Sequence, residues 1–217
     1  TVVAICRRLR LYTPLVRAYT LGANDFVRPA AELLAAASGS DEAGAKSASG
    51  AASAVWPDVE EDALVASMPQ PLTVLERVAS SHKMYLFLRL TLSGRCYPSA
   101  EPLPPPPGSA DSHGPQQLMA WLFEPHANAG RDRLMSLIRL DAAAAFSALA
   151  LVFDGVLPHD PMDPSPRVAA ICLLESAAYA TSTVLRFSRM VAGLLVRRRV
   201  EVAPKMLARI LLALIDG

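Results

Sequence analysis

The sequence predicts an all-α fold from its composition, its helical periodicity and its lack of strand patterning. Hydrophobic residues make up 52% of the 217 residues, aromatic residues 6% and charged residues 19%. Such a composition is typical of helices that bury one face. No stretch alternates apolar and polar residues between turns, as a half-buried strand would. Short helices separated by breaks favour a helical-hairpin solenoid segment, with a compact helical bundle as the alternative.

Apolar spacing and prolines predict the first three helices. Ile5, Leu9 and Tyr12 recur at i, i+4 and i+7, so we expect a first helix that buries these side chains. A proline suits the first turn of a helix, because its missing N–H would be unpaired there in any case. Pro14 and Pro29 therefore predict the next two helix starts.

A long helix is predicted after Pro71. Leu75 and Val78 begin its apolar face, and the helical spacing continues to Leu90. Gly94 follows at the position where a left-handed C-terminal cap is expected, since glycine adopts that conformation without strain.

The second half predicts further helices in the same way. The expected spans are residues 116–123, 131–140 and 142–153, two helices from residue 168 with a break near 180–183, and one from residue 204. Asp141 is expected to cap the helix that follows it, because its carboxylate accepts hydrogen bonds from unpaired N–H groups. The last helix carries an apolar stripe that includes Met206, Leu207, Ile210 and Leu211.

Two low-complexity segments interrupt the helical pattern. Residues 38–54 are nearly all Ala, Gly and Ser, and residues 99–115 contain a proline run at 104–107. Such segments cannot offset an ordering entropy of about 1–2 kcal/mol per residue, so we predict disordered insertions. We interpret residues 1–217 as one helical region and an excerpt of a longer chain, because both ends adjoin apolar helices.

Few residues suggest catalysis or metal binding. No serine lies in a G-x-S-x-G setting, and the four histidines are scattered. Cys6, Cys96 and Cys172 form neither a disulfide framework nor a zinc motif, which favours a reducing compartment. Cys6 and Cys172 are expected in the core, and Cys96, behind a helix end, nearer the surface. We expect no enzyme, no cofactor and no metal.

Basic residues gather near the C-terminus, although the net charge of the chain is only +1. Arg186 and Arg197 lie about three helical turns apart and share a face, with Arg189 beside them. Arg198 and Arg199 follow the helix end. The simplest interpretation is a solvated helix face, and the functional alternatives are an acidic partner protein or an anionic membrane. Nucleic acid is not expected, because aromatic residues are not interleaved with the arginines.

Three stretches of the sequence have the pattern of a known family. The first comprises residues 6–12, of the form C-x-x-L-x-L-Y, and residues 25–34, of the form D-F-V-x-P-x-x-x-L-L. They resemble the central conserved region of the vacuolar protein sorting eight family. Residues 88–98 are similar to the family's L-x-x-x-L-T-G-x-x-Y-P, with Ser at the Thr position. Residues 134–153, which include Leu140-Asp141, Phe146, Leu149 and Phe153, resemble the next conserved stretch. The helices after residue 168 are similar to the family only in their general helical character.

The resemblance implies a scaffold within the CORVET endosomal tethering complex. It implies contacts with class C core subunits, and with a Rab-family GTPase through other parts of the full-length protein. The location implied is cytoplasmic and peripheral on endosomal membranes, which the chain would reach indirectly. The alternatives are a helical interaction module of another trafficking scaffold, or a helical lipid-binding or enzyme domain.

Overall fold

The computed structural model describes residues 2–39, 73–105, 113–124, 129–154 and 165–217. Within these ranges the α-helices are α1 (Val2–Arg8), α2 (Tyr12–Arg17), α3 (Val27–Ser38), α4 (Val74–Leu92), α5 (Gly114–Leu122), α6 (Ala129–Leu140), α7 (Ala142–Ala150), α8 (Ser165–Ala180), α9 (Val184–Val196) and α10 (Pro204–Ile215). A π-helical turn (Ala18–Gly22) extends α2, and a 3-10 turn (Leu151–Asp154) extends α7. The same ranges contain no strand, and Arg95 and Pro102 form an isolated bridge. The all-α prediction is confirmed.

The chain divides into two compact units, Thr1–Met84 and Tyr85–Gly217, a division that the sequence pattern does not reveal. The core of the first unit includes Cys6, Leu15 and Tyr19, with Val3 and Tyr12 packed against them. Ile5 is 58% exposed, and Leu9, which lies just beyond the end of α1, is 59% exposed, so the expectation that these two side chains are buried is wrong. The helix instead turns Cys6 inward.

A capping box starts helix α4. The Thr73 hydroxyl accepts a hydrogen bond from the Glu76 N–H at 3.3 Å, and the Glu76 carboxylate accepts one from the Thr73 N–H at 2.8 Å. Two otherwise unpaired N–H groups are satisfied in this way. The expectation that Leu75 and Val78 begin the buried face is wrong, because these side chains are 82% and 62% exposed.

In the second unit, the described helices pack mainly against helices that are one or two elements away in sequence. Helix α6 contacts α7 and α8, and α9 contacts α7, α8 and α10. Large fully buried side chains fill these contacts, among them Phe153, Phe187, Leu134 and Leu137. Contacts that run between near neighbours in sequence are characteristic of stacked helical hairpins. The packing therefore agrees with the predicted solenoid segment.

Several helix ends share one turn geometry. The residues with positive φ just beyond α1, α4, α8 and α9 are Arg10, Gly94, Ser182 and Arg198. After α4, the Gly94 N–H donates to the Thr91 carbonyl and the Arg95 N–H to the Leu90 carbonyl. This pair of bonds defines the Schellman motif, which satisfies carbonyls at a helix end. The predicted role of Gly94 is confirmed.

The start of α7 also follows the prediction. Asp141 adopts an extended conformation, and its carboxylate accepts a hydrogen bond from the Ala144 N–H at 3.0 Å. The predicted N-cap is confirmed, although the α-helix ends at Ala150 and continues as a 3-10 turn.

The two predicted insertions are only partly within the described residues. Ser38 is the last residue of α3 and Gly39 its left-handed cap, whereas residues 40–54 lie outside the described ranges. Within 99–115, Pro102 pairs with Arg95, Leu103 is buried, and Gly114 begins α5. Residues 106–112 lie outside the described ranges, and disorder there remains a prediction.

Candidate functional surface

The arginines singled out in the sequence lie on helix α9 and the turn that follows it. Arg186 and Arg189 are exposed on the helix, and Arg197, Arg198 and Arg199 are exposed on the turn. The opposite face of α9 buries Phe187, Ser188, Val191 and Leu194. Since α9 packs against α7, α8 and α10 through that face, the arginines point to solvent as the helical spacing predicts.

The turn after α9 is another Schellman motif. The Arg198 N–H donates to the Leu195 carbonyl, and the Arg199 N–H donates to the Leu194 carbonyl, each at 2.9 Å. Arg198 has φ +54°, a left-handed conformation that side chains other than glycine adopt at a cost. The turn therefore places consecutive arginines at the C-terminal end of the helix. The partial negative charge of the helix dipole stabilises cations there.

Asp154 lies beside this turn. Its carboxylate is 4.0 Å from the Arg197 guanidinium and 3.7 Å from that of Arg199. Arg167, from the start of α8, donates a hydrogen bond to the Arg199 carbonyl at 3.0 Å. Asp154 thus offsets part of the charge of the turn and leaves Arg186 and Arg189 outside its reach. In the described part of the chain, neither of these two arginines has an ion pair.

Sequence reasoning missed a second exposed feature, on helix α10. Met206 and Ile210 are buried, as expected for the apolar stripe. However, Leu207, Leu211, Leu212 and Ile215 are 39%, 51%, 59% and 79% exposed. The expectation that Leu207 and Leu211 belong to the buried stripe is therefore wrong, because α10 carries more apolar residues than one buried face needs. We call Leu207, Leu211 and Ile215 the α10 outer row.

Helix α10 is tied to α8 by a polar contact that the sequence spacing does not show. The Arg209 guanidinium lies 2.9 Å from the Glu175 carboxylate and stacks over the Tyr179 ring, 4.0 Å from its centre. An arginine that pairs with both a carboxylate and an aromatic face is held in place. Arg209 is therefore part of the packing between α8 and α10.

A polar cluster in the first unit joins α1, α3 and the π-helical turn. The Arg7 guanidinium contacts the Glu32 carboxylate at 2.9 Å and the Tyr19 hydroxyl at 2.7 Å. The Tyr19 hydroxyl donates to Glu32 at 3.2 Å. Burial, followed by the negative charge of Glu32, raises the pKa of Tyr19 to about 12. A phenol with so high a pKa stays protonated and donates a hydrogen bond, so the cluster is structural.

Other reactive groups are dispersed. Among the described residues, no group of three or more His, Cys, Asp or Glu side chains is placed to hold a metal ion. Cys6 is buried as expected. Cys172 is exposed and Cys96 buried, so the expectations for these two residues are wrong. The Cys96 thiol lies 3.7 Å from the Pro102 carbonyl, because residues 99–105 fold back over it.

No helix in the described part of the chain combines the length and the apolarity needed to cross a bilayer. The longest, α4, has 19 residues and includes charged side chains such as Glu76 and Arg89.

Comparison with known proteins gives a match to a protein family. A family model described as Vps8 central TPR matches residues 1–153. No curated protein and no solved structure matches the chain. The matched residues contain all three stretches on which the sequence resemblance was based. The arginines of α9 and the α10 outer row lie beyond the matched residues.

Proposed function

The chain belongs to the Vps8 family, and from this premise we propose that it is a scaffold segment of an endosomal membrane-tethering complex. In this role it acts in vesicle-mediated transport, from endosome to vacuole or lysosome, through protein–protein contacts. The observation that carries the proposal is the match to the central TPR region over residues 1–153.

The described structure supports a scaffold role in physical terms. TPR-type families are helical repeats whose stability comes from packing between neighbouring helices. Fully buried side chains such as Leu134, Phe153 and Phe187 supply this packing here. Helical-repeat scaffolds of this type are typically non-enzymatic, and they offer broad surfaces to other proteins.

The α10 outer row supports contacts with other proteins. Leu207, Leu211 and Ile215 recur every four residues and form one exposed apolar line along the helix. Apolar side chains grouped on an exposed helix face mark protein interaction sites more often than isolated ones do. Partners of the class C core are the ones we propose for the full-length protein.

The remaining proposals concern location and recruitment. A Rab-family GTPase would recruit the full-length protein through parts other than this segment. The segment would then be cytoplasmic and peripheral, and would reach the endosomal membrane only through its partners.

Affinity purification of the tagged full-length protein tests the proposal. We expect class C core subunits to be recovered, and a tagged unrelated helical-repeat protein, as the control, not to recover them. Fluorescence microscopy should place the full-length protein on endosomes. Absence of the core subunits would overturn the tether assignment, and recovery of a different coat or transport assembly would favour another trafficking scaffold.

A further inference from the structure

The outer face of helix α9 presents a row of basic residues. Arg186, Arg189, Gly193 and Arg197 follow one another at spacings of three or four residues, so they lie along one side of the helix. All four are exposed. With a rise of 1.5 Å per residue, the row from Arg186 to Arg197 is about 16 Å long. Arg198 and Arg199 extend it past the end of the helix. We call these five arginines the α9 arginine row.

Within the described ranges, most of the charge of the α9 arginine row has no carboxylate paired with it. Helix α9 contains no Asp or Glu, so no carboxylate of the same helix offsets Arg186 or Arg189. Among the described residues, the carboxylate paired with the row is that of Asp154, which contacts Arg197 and Arg199. A negatively charged partner that lies along α9 would therefore meet the guanidinium groups of Arg186 and Arg189, which have no ion pair among the described residues.

The chemistry of the row favours carboxylates carried on another protein. A guanidinium presents two parallel N–H groups that match a carboxylate, which makes arginine more selective than lysine for this pairing. The row is linear, and carboxylates repeated every three or four residues on an amphipathic helix would match its spacing.

Two other classes of ligand fit the row less well. A surface that binds a membrane normally inserts aromatic or apolar residues between its basic ones. Here the position between Arg189 and Arg197 is Gly193, which has no side chain. The large apolar side chain exposed beside the row on α9 is that of Val196, at the helix end, which is 85% exposed. A single valine is much less than the apolar face with which amphipathic helices enter a membrane. Binding to single-stranded nucleic acid normally uses aromatic rings that stack on bases, and the exposed face of α9 carries none.

We propose that the α9 arginine row binds an acidic helical segment of a partner protein. The flat position at Gly193 lets the backbone of the partner approach between the two groups of arginines. The existence of such a partner rests on the proposed scaffold function. The binding of an acidic helix by α9 can be measured whether or not that function is correct. Because the groups involved are exposed, the affinity should fall steeply as salt concentration rises.

Fluorescence anisotropy with the purified full-length protein tests the proposal. The probe is a dye-labelled, Ala-rich helical peptide with Glu residues confined to one face at spacings of three and four. The reference probe has the same composition, with the Glu residues spread around the helix. We expect the first peptide to bind at least tenfold more tightly, and R186E/R189E to abolish that preference.

A matched variant controls for net charge. R89E/R139E makes the same change in charge at exposed arginines on α4 and α6, and it should keep the peptide preference. Circular dichroism should show unchanged helicity in both variants, because all four side chains are exposed.

Three results would overturn the proposal. Equal binding of the two peptides would indicate unspecific charge attraction, and so would an equal loss in R89E/R139E. Binding to phosphatidylserine vesicles that R186E/R189E abolishes, with no peptide preference, would indicate a membrane surface instead. Recovery of class C core subunits is measured separately, so failure of the tether assignment leaves the peptide result interpretable.

Discussion

At the scale of single residues, Tyr85 makes the clearest long-range polar contact of the second unit. Its side chain is 6% exposed, its hydroxyl donates to the Leu137 carbonyl at 2.6 Å, and it accepts from the Asp141 N–H at 3.1 Å. Burial raises the pKa of Tyr85, so the hydroxyl keeps its proton. One side chain on α4 thus holds the junction at which α6 ends and α7 begins.

Replacing Tyr85 by phenylalanine should therefore destabilise the chain. The ring is kept, but the Leu137 carbonyl and the Asp141 N–H lose the hydroxyl and keep their bond to each other at 3.2 Å, so we expect a loss of about 1 kcal/mol. Urea denaturation followed by circular dichroism measures the change. Tyr179→Phe is the control, because the contact of Tyr179 with Arg209 is made by its ring. An equal loss in both variants would contradict the role given to the Tyr85 hydroxyl.

Tyr19 predicts a dependence of stability on alkaline pH. In the folded chain its pKa is about 12, whereas an unfolded tyrosine has a pKa of about 10. Between these values the unfolded chain has released a proton that the folded chain still binds, so stability falls as pH rises. Below about pH 10 this contribution is fully present.

The measurement is the free energy of unfolding between about pH 9 and pH 12. Tyr19→Phe removes one titrating group, so its stability should fall less steeply with pH than that of the original chain. Its stability at neutral pH is lower, because the hydrogen bond to Glu32 is lost. Identical slopes for the two proteins would show that Tyr19 does not titrate as we expect.

At the scale of helices, the left-handed residues after α4 and α9 make a natural comparison. Gly94 has φ +73° and Arg198 has φ +54°, and both close the same type of turn. The left-handed conformation costs a residue with a Cβ about 1–2 kcal/mol, and it costs glycine almost nothing. The turn after α9 is therefore built with a residue that is strained, and the turn after α4 is not.

We expect Arg198→Gly to stabilise the chain and Gly94→Ala to destabilise it, each by about 1 kcal/mol or less. The thermal midpoint and the urea midpoint measure both changes. Arg197→Gly is the control, because Arg197 has φ −80° and gains nothing from glycine. A stabilisation by Arg197→Gly equal to that by Arg198→Gly would argue against backbone strain as the cause.

Local chemistry explains which elements could be predicted from the sequence. Gly94 and Asp141 act on backbone groups within four residues, so their roles follow from the adjacent sequence alone. The capping box of Thr73 and Glu76 has the same local origin, and its T-x-x-E spacing could have revealed it. These features do not depend on where the rest of the chain lies.

Burial, by contrast, depends on neighbours that periodicity does not specify. Ile5 and Cys6 both lie on apolar spacings of α1, and only the position of Leu15 and Tyr19 decides that Cys6 is buried. The ion pair between Arg10 and Glu76, at 3.2 Å, joins residues 66 positions apart. For the arginines of α9 the helical face could be predicted, because it needs only the spacing, whereas the contact of Asp154 with two of them could not.

At the scale of the whole molecule, buried and exposed apolar residues lie side by side on one helix, α10. Buried residues such as Ile210, which is 2% exposed, hold α10 against α9. Leu207 and Leu211, one helical turn apart on the α10 outer row, remain in contact with solvent. The chain thus keeps apolar side chains at its surface that its own described fold does not need.

This separation predicts a difference between two substitutions on one helix. L207E/L211E should change the free energy of unfolding by about 1 kcal/mol or less, because both side chains are already partly exposed to solvent. Ile210→Glu buries a charge without a partner and should cost at least about 3 kcal/mol. Urea denaturation measures both. A large loss in L207E/L211E would mean that the outer row is part of the folded core.

The cysteines give the chain a practical property. Cys6 and Cys96 are buried and Cys172 is exposed, so a thiol reagent should react first at α8. A maleimide dye could therefore be attached at one defined position without engineering. From that position, energy transfer to an acceptor dye on a bound protein would report the distance between the two while the assembly forms.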